Sequence, residues 1–574
     1  MWSTPLLWAI VLLLSIRGHQ EAALLEQANA LLVRGESDRA IALLSGLHDS
    51  PWSGEQARAG LVIASALVSH TPQLGVDTLD SSAFALPLIT RTAFERGEFQ
   101  AVLRLTEVAE NLGLPTVPLL TAATWIELDR PHEAHPVDTA SLQLAGNLGR
   151  RVAHHLTTPE EQGGVLLRDR FGLPIGTSRA GELRLIDDVR PELVPRAVAD
   201  VATMHHPAGS LRLTLDLELS QAAIEAFGRY RGSIVIVDPY SGEILAAVSD
   251  RRTWRKGGTP AFEQLREPAS IAKLITSTAA LRAGYDPDAE LGRMRCRGHE
   301  RYAGKLLYCP SIVGRLRGLN RAMATSCNVA FASLGVRVGR QGMLQEFRRY
   351  GFDADLPFPS GQIVQAYGDD RQLADLSIGL EATTITPLHA ALLAAVMAAD
   401  GVMPEPTLVA AEDGRLGLHP RPLPAREGRR VIDRQWVPEM VQAMETVVQR
   451  GTAQRVWPPP NFPVAMKTGT ASDPRYGFHV NYIGIGPMPD ARLAFCVRVT
   501  DQRTSAKVRY AAQQVTYRLL RKLGRIAEQR GWDSEDPGFA SPFDGGPSTI
   551  RTAAWGGGPD TPAPSTRRKR VSAR

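Results

Sequence analysis

The stretch REPASIAKLITSTAALRAG, residues 266–284, predicts a helix that begins just after Pro268 and carries Ser270 and Lys273 on its first turns. Residues three apart on a helix lie on the same face, so these two side chains are expected to meet. Only seven of the 65 lysine and arginine residues are lysine. Arginine keeps its proton at ordinary pH, whereas burial or a nearby positive charge converts lysine to the neutral amine. Lys273 is therefore interpreted as a base for Ser270.

Two shorter motifs follow this helix. Ser326-Cys327-Asn328 lies in RAMATSCNVAFASLG, residues 321–335, and Lys467-Thr468-Gly469-Thr470 opens an expected strand. A serine and a lysine three residues apart occur by chance in many chains, but two of the seven lysines fall on these patterns. The three motifs in this order predict a serine nucleophile that is supported by lysine.

The segments around the motifs predict an α+β fold, with an antiparallel sheet and helices grouped on it. GSIVIVDPYSGEILAAVSDRR, residues 232–252, is typical of two strands joined at DPYSGE, because proline and glycine supply the dihedral angles of a turn. Helical segments fill residues 317–450. The Lys467 motif then leads into the strands HVNYIGIGP and ARLAFCVRVTD, and the helix AAQQVTYRLLRKLGRIAEQ closes the region.

From about residue 165 to 525 the sequence resembles the transpeptidase region of a penicillin-binding protein, closer to the monofunctional class B type than to a soluble β-lactamase. Asp169-Arg170 with Gly172 resembles the family's DRxG element, which precedes the catalytic domain. Two departures stand out. Ala269 occupies the position before the nucleophile where the family usually has glycine, and HVNYIGIGP replaces a more aromatic strand.

The resemblance implies a role for each motif residue. Ser270 would attack a carbonyl, Lys273 would take its proton, and Ser326 would relay a proton to the leaving amine. Substrate-binding roles fall to Asn328, Lys467, Thr468, Gly469 and Thr470. The backbone N–H groups of Ser270 and Thr470 would form the oxyanion hole. No metal and no cofactor are implied.

The implied activity is D,D-transpeptidation. Ser270 would attack the D-Ala-D-Ala end of a peptidoglycan stem peptide and displace the last D-alanine, and an amine of a second stem peptide would then resolve the acyl-enzyme. β-Lactams would acylate the same serine. Two alternatives remain open: a hydrolase on the same scaffold, either a D,D-carboxypeptidase or a class D-like β-lactamase, and a β-lactam-sensing or partner-binding protein. A hydrolase needs a group that activates water, and Asp369 and Asp370 are interpreted as a solvated turn instead.

Residues 1–19 predict export. WSTPLLWAIVLLLSI, residues 2–16, is uncharged and mostly apolar, but it is shorter than the ~20 residues that span a bilayer. A signal peptide and an N-terminal membrane anchor both remain open, and either places the protein on the periplasmic side of the inner membrane. Of the four cysteines, Cys296 and Cys309 lie in one loop-like segment. A disulfide between them and four free thiols are both compatible with the sequence.

Residues 20–140 predict an all-α domain of helical repeats. Apolar residues recur there at three- and four-residue spacing, and RGESDRAIALL and RGEFQAVLRL resemble the turn of a tetratricopeptide repeat. This region is interpreted either as a surface for a cell-wall protein partner or as a helical spacer. Residues 141–209 would form a linker or pedestal-like segment, and 210–527 the transpeptidase domain.

The remaining features concern the tail and the charge. Residues 528–574 are rich in proline, glycine and serine and predict a disordered tail. The net charge of +5 is mildly basic, and the folded part lacks a basic stripe interleaved with aromatic residues, so nucleic acid is not expected as a partner.

Overall fold

In this computed structural model, the described residues run from 165 to 532, apart from 180, 188, 206–209, 257, 365–367, 415–420, 425–427, 474–476 and 502–503. Before residue 165, they comprise 37–47, 116–128, parts of 21–31 and 86–111, and the single residues 133, 134, 137 and 152. The predicted signal or anchor segment, most of the linker from 141 to 164 and the tail beyond 532 lie outside them. No helix among the described residues combines the length and apolarity needed to cross a membrane.

A five-stranded antiparallel sheet forms the centre of the fold and confirms the predicted α+β class. Its strands are β5 (Arg231–Val237), β6 (Ile244–Ser249), β17 (Ala465–Asp473), β18 (Gly477–Gly486) and β19 (Leu493–Asp501). They lie in the order β17-β18-β19-β5-β6, so β17, which carries the Lys467 motif, is an edge strand. The DPYSGE turn joins β5 to β6 as the sequence predicts.

Helices cover this sheet. Helix α13 (Pro387–Ala398) is apolar on all sides and almost entirely buried against β5, β18 and β19, as expected of a helix inside a core. Helices α5 (Leu217–Phe227) and α15 (Ser505–Gln529) pack against each other and against the sheet. Helix α15 continues past the predicted domain end at 527, and Trp532 beyond it is buried. The division between domain and tail at residue 527 stays a prediction, and the described residues continue to Trp532.

A second sheet has six strands in the order β15-β14-β4-β1-β2-β3. Its strands are β1 (Val165–Arg168), β2 (Pro174–Arg179), β3 (Glu182–Leu185), β4 (Ser210–Leu213), β14 (Val409–Asp413) and β15 (Arg421–Pro422). Strands β1 and β4 are parallel, and the other pairs are antiparallel. The DRxG-like turn closes β1 onto β2, because the Asp169 carboxylate accepts the backbone N–H groups of Phe171 and Leu173 at 3.0 and 2.8 Å. This sheet takes strands from both sides of the expected boundary at 210.

The remaining helices and short strands connect the strands of the two sheets along the chain. The helices are α4 (Ala197–His205), α6 (Arg251–Arg255), α7 (Pro260–Glu263), α8 (Lys273–Arg282), α9 (Pro287–Gly292), α10 (Leu319–Ala324), α11 (Asn328–Arg349), α12 (Asp370–Ile378) and α14 (Val437–Arg450). Short strands are β7 (Arg295–Cys296), β8 (His299–Tyr302), β9 (Lys305–Tyr308), β10 (Gly314–Arg315), β11 (Gln362–Ile363), β12 (Thr383–Thr384), β13 (Val402–Met403) and β16 (Arg429–Arg430). Turns of 3-10 helix occupy Pro191–Leu193, Ala269–Ala272, Arg434–Trp436 and Gln454–Val456.

The N-terminal region has its own small core. Its three described helices with assigned bounds are α1 (Ser37–Ser45), α2 (Phe99–Asn111) and α3 (Pro118–Glu127). Buried Leu44, Val102 and Ile126 belong to an apolar cluster that is separate from the large core around the two sheets. These helices agree with the all-α expectation, and the tetratricopeptide character of the repeats stays a prediction.

Candidate active site

The predicted nucleophile lies on a tight turn at the start of α8. Ala269–Ala272 form a 3-10 turn that continues directly into the helix, so Ser270 stands one turn before Lys273. Ala269 adopts φ +52°, the left-handed region that favours glycine, and its backbone N–H donates to the Gly379 carbonyl at 2.7 Å. The departure from the family glycine therefore falls where the backbone requires an unfavourable conformation. Ser270 remains partly exposed beside a buried lysine.

Lys273 is fully buried and lies at the centre of the site. Its Nζ is 2.9 Å from the Ser270 Oγ, 2.7 Å from the Asn328 Oδ1, and 2.7 and 3.2 Å from the backbone oxygen and Oγ of Ser326. The Phe331 ring lies beneath the amine, with its centroid 5.6 Å from Nζ. One amine thus contacts a residue of each of the first two motifs, as the helix periodicity and motif order predict.

Burial lowers the pKa of Lys273 to about 7, while Cys327 and Cys309 act in the opposite direction. Removing an ammonium from water penalises its charged form, and this cost favours the neutral amine. A base with a pKa near the working pH combines a useful deprotonated fraction with adequate basicity. Lys273 is therefore able to accept a proton from Ser270 across the 2.9 Å contact.

Lys467, from the third motif, approaches the Ser326 hydroxyl, which Lys273 also contacts. Its Nζ lies 3.1 Å from the Ser326 Oγ and donates to the Thr468 carbonyl at 2.8 Å. Burial and the nearby Lys273 both lower the pKa of Lys467 well below its ordinary value. The Ser326 hydroxyl consequently joins two lysines. Ser326 itself has φ +52°, so both the nucleophile turn and this turn contain a non-glycine residue in the left-handed region.

The Lys467 motif holds β17 close to the nucleophile. A Cβ on Gly469 would lie 2.6 Å from the Pro268 carbonyl and 3.3 Å from the Ser270 nitrogen, so only glycine allows this approach. Thr470, the next residue, is partly exposed on the edge strand. An edge strand offers unpaired backbone groups to an extended peptide, so a substrate chain can add to the sheet here.

Several polar residues that the motif analysis missed support the site. Thr452 places its Oγ1 2.5 Å from the Thr468 Oγ1, and its N–H donates to the Ala324 carbonyl just before Ser326. The Asn328 side-chain amide also donates to the Tyr308 carbonyl at 2.8 Å. Thr452 carries no sequence signal that distinguishes it from other threonines. Its role depends on a fold that brings α14 next to β17.

A buried arginine fixes the strand beneath the nucleophile turn. Arg498 on β19 donates to the Asn481 Oδ1 at 2.7 Å and to the carbonyls of Gln264 and Ile385 at 2.7 and 3.0 Å. Asn481 in turn lies 3.4 Å from the Pro268 carbonyl. Burial lowers the pKa of Arg498 to about 10. A charged residue inside the apolar run LAFCVRV was the available signal, and only its partners in the fold explain it.

All eight predicted site residues thus lie on the three segments that meet around the Lys273 and Lys467 amines: Ser270, Lys273, Ser326, Asn328, Lys467, Thr468, Gly469 and Thr470. Asp369, by contrast, caps α12, where its Oδ1 accepts the backbone N–H groups of Arg371 and Gln372 at 3.0 and 3.1 Å. The four cysteines are free thiols. Among the described residues, the one cluster with potential metal ligands is Cys296, Cys309 and Cys327.

Comparison with known proteins agrees with this fold. Residues 232–522 match the family model of the penicillin binding protein transpeptidase domain. The chain belongs to this family. It is 30% identical over 358 residues to the peptidoglycan D,D-transpeptidase PbpA of Mycolicibacterium smegmatis, a match that covers 54% of this chain and 71% of the relative. PbpA of Mycobacterium tuberculosis is 28% identical over a similar span, with 54% and 70% coverage.

Solved structures share the fold. The D,D-transpeptidase domain of a peptidoglycan glycosyltransferase from Eggerthella lenta superposes with a TM-score of 0.55 at 20% identity, and covers 64% of this chain and 99% of its own. PBPA from Mycobacterium tuberculosis superposes with a TM-score of 0.52 at 22% identity, and covers 62% and 98%. At these identities the structures support the transpeptidase fold alone.

Proposed function

We propose that this protein is a peptidoglycan D,D-transpeptidase that cross-links stem peptides through an acyl-enzyme on Ser270 and is acylated there by β-lactams. The observation that carries the proposal is the contact between the Ser270 Oγ and a buried lysine amine whose pKa is about 7. A serine hydroxyl needs an adjacent base to become a nucleophile at neutral pH. Lys273 is that base, and Asn328 holds its amine in position at 2.7 Å.

Acylation begins when a stem peptide adds to the free edge of β17 as an extended strand. Its carboxylate lies against the side chains of Thr468, Thr470 and Lys467. Lys273 takes the Ser270 proton as Oγ attacks the penultimate D-alanine carbonyl. The backbone N–H groups of Ser270 and Thr470 stabilise the oxyanion, a contribution of about 3–4 kcal/mol per donor where one has been measured.

Departure of the terminal D-alanine requires a proton on its amine. The Ser326 hydroxyl contacts both lysines at 3.1 and 3.2 Å, so it carries a proton from this pair to the leaving nitrogen. In the second half of the reaction an amine of another stem peptide enters along the same path and attacks the ester. Lys273 and Ser326 then act in the reverse direction, and the cross-link forms as Ser270 regains its proton.

The location and partners of the protein extend this proposal. Its substrate is outside the cytoplasm, which fits the apolar segment WSTPLLWAIVLLLSI as a signal peptide or an N-terminal anchor at the periplasmic side of the inner membrane. The N-terminal helices provide a surface for a cell-wall protein partner. These helices pack their apolar residues in a cluster of their own.

The test is covalent labelling with a fluorescent penicillin. Wild type should be labelled, and Ser270→Ala should not be, because the acceptor oxygen is gone. Ser277→Ala is the matched control, because Ser277 lies further along the same helix and donates only to the Lys273 backbone carbonyl. It should be labelled like wild type. Persistent labelling of folded Ser270→Ala would exclude Ser270 as the nucleophile.

A further inference from the structure

Three cysteines lie together behind the Ser326-Cys327-Asn328 motif. The Cys309 Sγ is 3.5 Å from the Sγ atoms of both Cys296 and Cys327, and the three sulfur atoms all lie within 4.8 Å of one another. Cys296 and Cys327 are buried, whereas Cys309 is partly exposed. Cys309 is thus the central and most accessible thiol of the three. None of them takes part in the acyl-transfer steps.

The surroundings of Cys309 favour its thiolate form. Its Sγ shares a hydrogen bond with the Cys327 Sγ, the backbone N–H of Val329 donates to it at 3.3 Å, and Lys273 contributes positive charge. These contacts lower the pKa of Cys309, whereas the hydrogen bond to Cys309 and burial raise the pKa of Cys327. The thiolate is the nucleophile in disulfide chemistry. Cys309 therefore lies between two further thiols, each close enough to form a bond with it after a small movement.

We propose that Cys309 is a redox modification site, which forms a disulfide with either Cys296 or Cys327, and that the Cys309–Cys327 bond slows acylation of Ser270. The regulatory part of this proposal rests on the proposed function. The disulfide chemistry itself does not. The disulfide proposal is based on the positions of the three sulfur atoms, because Cys309 lies between Cys296 and Cys327 and within reach of both.

The chemistry is ordinary thiol–disulfide exchange with a small or protein disulfide as the oxidant. The Cys309 thiolate attacks one sulfur of the oxidant, which forms a mixed disulfide and releases one thiolate. Cys327 or Cys296 then loses its proton and attacks the Cys309 sulfur, which releases the second thiolate. Two protein thiols are oxidised, and one oxidant disulfide is reduced to two thiols. The third cysteine can later attack Cys309 and release its first partner, an exchange without any net redox change.

The two possible disulfides differ in what they constrain. Cys296 belongs to β7, away from the reacting groups, whereas Cys327 lies between Ser326 and Asn328, which both contact the Lys273 amine. A disulfide needs a sulfur separation of about 2.05 Å, so two sulfurs now 3.5 Å apart must approach. The strain of the Cys309–Cys327 bond would fall on a turn that holds Ser326 at φ +52° and on the Asn328 contact with Tyr308.

A metal ion is the competing occupant of the cluster. Structural zinc sites use four protein ligands. Among the residues that the structure describes, this cluster offers three potential metal ligands, and all three are cysteines. A three-thiol arrangement with one central thiolate suits exchange between two partners better than a closed tetrahedral site.

The experiment compares reduced full-length protein with protein oxidised by glutathione disulfide, in wild type, Cys296→Ser, Cys309→Ser and Cys327→Ser. Peptide mass spectrometry locates the disulfide, and fluorescent penicillin measures acylation. Cys296→Ser should form the Cys309–Cys327 bond, and its acylation should slow by about tenfold, within the ~100-fold that a displacement of about 1 Å costs. Reduction should restore it. Cys327→Ser should form the Cys296–Cys309 bond, with acylation equal to that of its own reduced form.

Cys309→Ser should form no disulfide under the same conditions, and a rapid Cys296–Cys327 bond in this variant would overturn the central role of Cys309. Retention of one zinc ion per chain with all three thiols protected would overturn the redox assignment in favour of a metal site. Equal acylation of oxidised and reduced Cys296→Ser would overturn the regulation while leaving the disulfide in place. If reduced wild type is never labelled by penicillin, the proposed function fails, and disulfide mapping still decides the chemistry.

Discussion

At the scale of single residues, two lysines explain why this site works with so few ionisable groups. Lys273 and Lys467 are both fully buried and both reach the Ser326 hydroxyl. Burial disfavours the charged form of both amines, and the nearby Lys273 lowers the pKa of Lys467 further. An arginine at either position would remain charged. The rarity of lysine in the chain is therefore a chemical signal, and the sequence alone predicts both residues.

Lys273 should control the pH dependence of acylation. The neutral amine is the active form, so the rate should rise as pH increases through about 7, the pKa of Lys273, and level off above it. Lys273→Arg should lose this rise and acylate at least ~100-fold more slowly, close to Lys273→Ala, because arginine keeps charge but accepts no proton. Penicillin acylation rates between about pH 5 and 9 measure both effects. If the arginine variant acylated at a rate near that of wild type, the role of Lys273 would be purely electrostatic.

Ala269 carries a backbone strain that its neighbour Ala272 does not. Both are buried in the same 3-10 turn, but Ala269 has φ +52° and Ala272 has φ −59°. Ala269→Gly should change the free energy of unfolding by less than ~0.5 kcal/mol, because relief of a left-handed alanine offsets the lost methyl burial and added chain entropy. Ala272→Gly has no strain to relieve and should lose about 1–2 kcal/mol. Urea unfolding compares them, and equal losses would mean that Ala269 is unstrained.

At the scale of elements, the sequence predicts the parts that local patterns specify. The strands β18 and β19, the turn between β5 and β6 and the helix at Ser270 all follow from short-range sequence patterns. The contacts of Arg498 do not, because its partners Gln264 and Ile385 are 234 and 113 residues away in the chain. Thr452 is missed for the same reason, since only the packing of α14 beside β17 brings it to Thr468. Supporting residues depend on tertiary contacts that no local pattern encodes.

The close approach of β17 to the nucleophile turn should make Gly469 indispensable. In Gly469→Ala the new methyl group would lie 2.6 Å from the backbone carbonyl of Pro268, so the strand or the turn must move. A displacement of about 1 Å should reduce penicillin acylation by about 100-fold. Gly292→Ala is the control, because its nearest neighbour would be 3.7 Å away, and it should acylate normally.

A thermal melt must accompany the Gly469→Ala measurement. The variant should retain a cooperative transition, because the site of the change is on an edge strand and the core beneath it is intact. Normal acylation by a folded Gly469→Ala protein would show that β17 can shift without loss of activity. The distance between β17 and the nucleophile turn would then not depend on this glycine.

At the scale of the whole molecule, the class of fold was predictable, but the strand pairing of the second sheet was not. The motif order and the strand pattern indicate the central sheet and its helices. The six-stranded sheet, however, pairs β4 with β1 on one side and with β14 on the other, although β1 and β14 are separated by more than half of the transpeptidase region. Strand pairing across such distances leaves no short-range trace. The predicted start of the transpeptidase domain at residue 210 coincides with the first residue of β4 and stays a prediction.

The fate of the acyl-enzyme distinguishes a transpeptidase from a hydrolase on this scaffold. A hydrolase needs a base that activates water beside the ester. Residues 327–466 contain no E-x-x-L-N-like element, and the carboxylate of Asp369 is already used as a helix cap. Asp370 is exposed on the first turn of the same helix. The acyl group should therefore wait for an amine, because one of these aspartates serves as a helix cap and the other is exposed to solvent.

We accordingly expect a penicilloyl-enzyme that persists for many minutes after excess penicillin is removed. With a stem-peptide analogue ending in D-Ala-D-Ala, D-alanine release should be slow alone and should accelerate when an amine acceptor is added, because the amine attacks the ester without needing a separate base to activate water. Mass spectrometry of the intact protein follows the first reaction, and D-alanine release follows the second. Free penicilloate within seconds, with full recovery of labelling, would falsify the transpeptidase assignment in favour of a β-lactamase. Rapid, acceptor-independent D-alanine release would instead identify a carboxypeptidase.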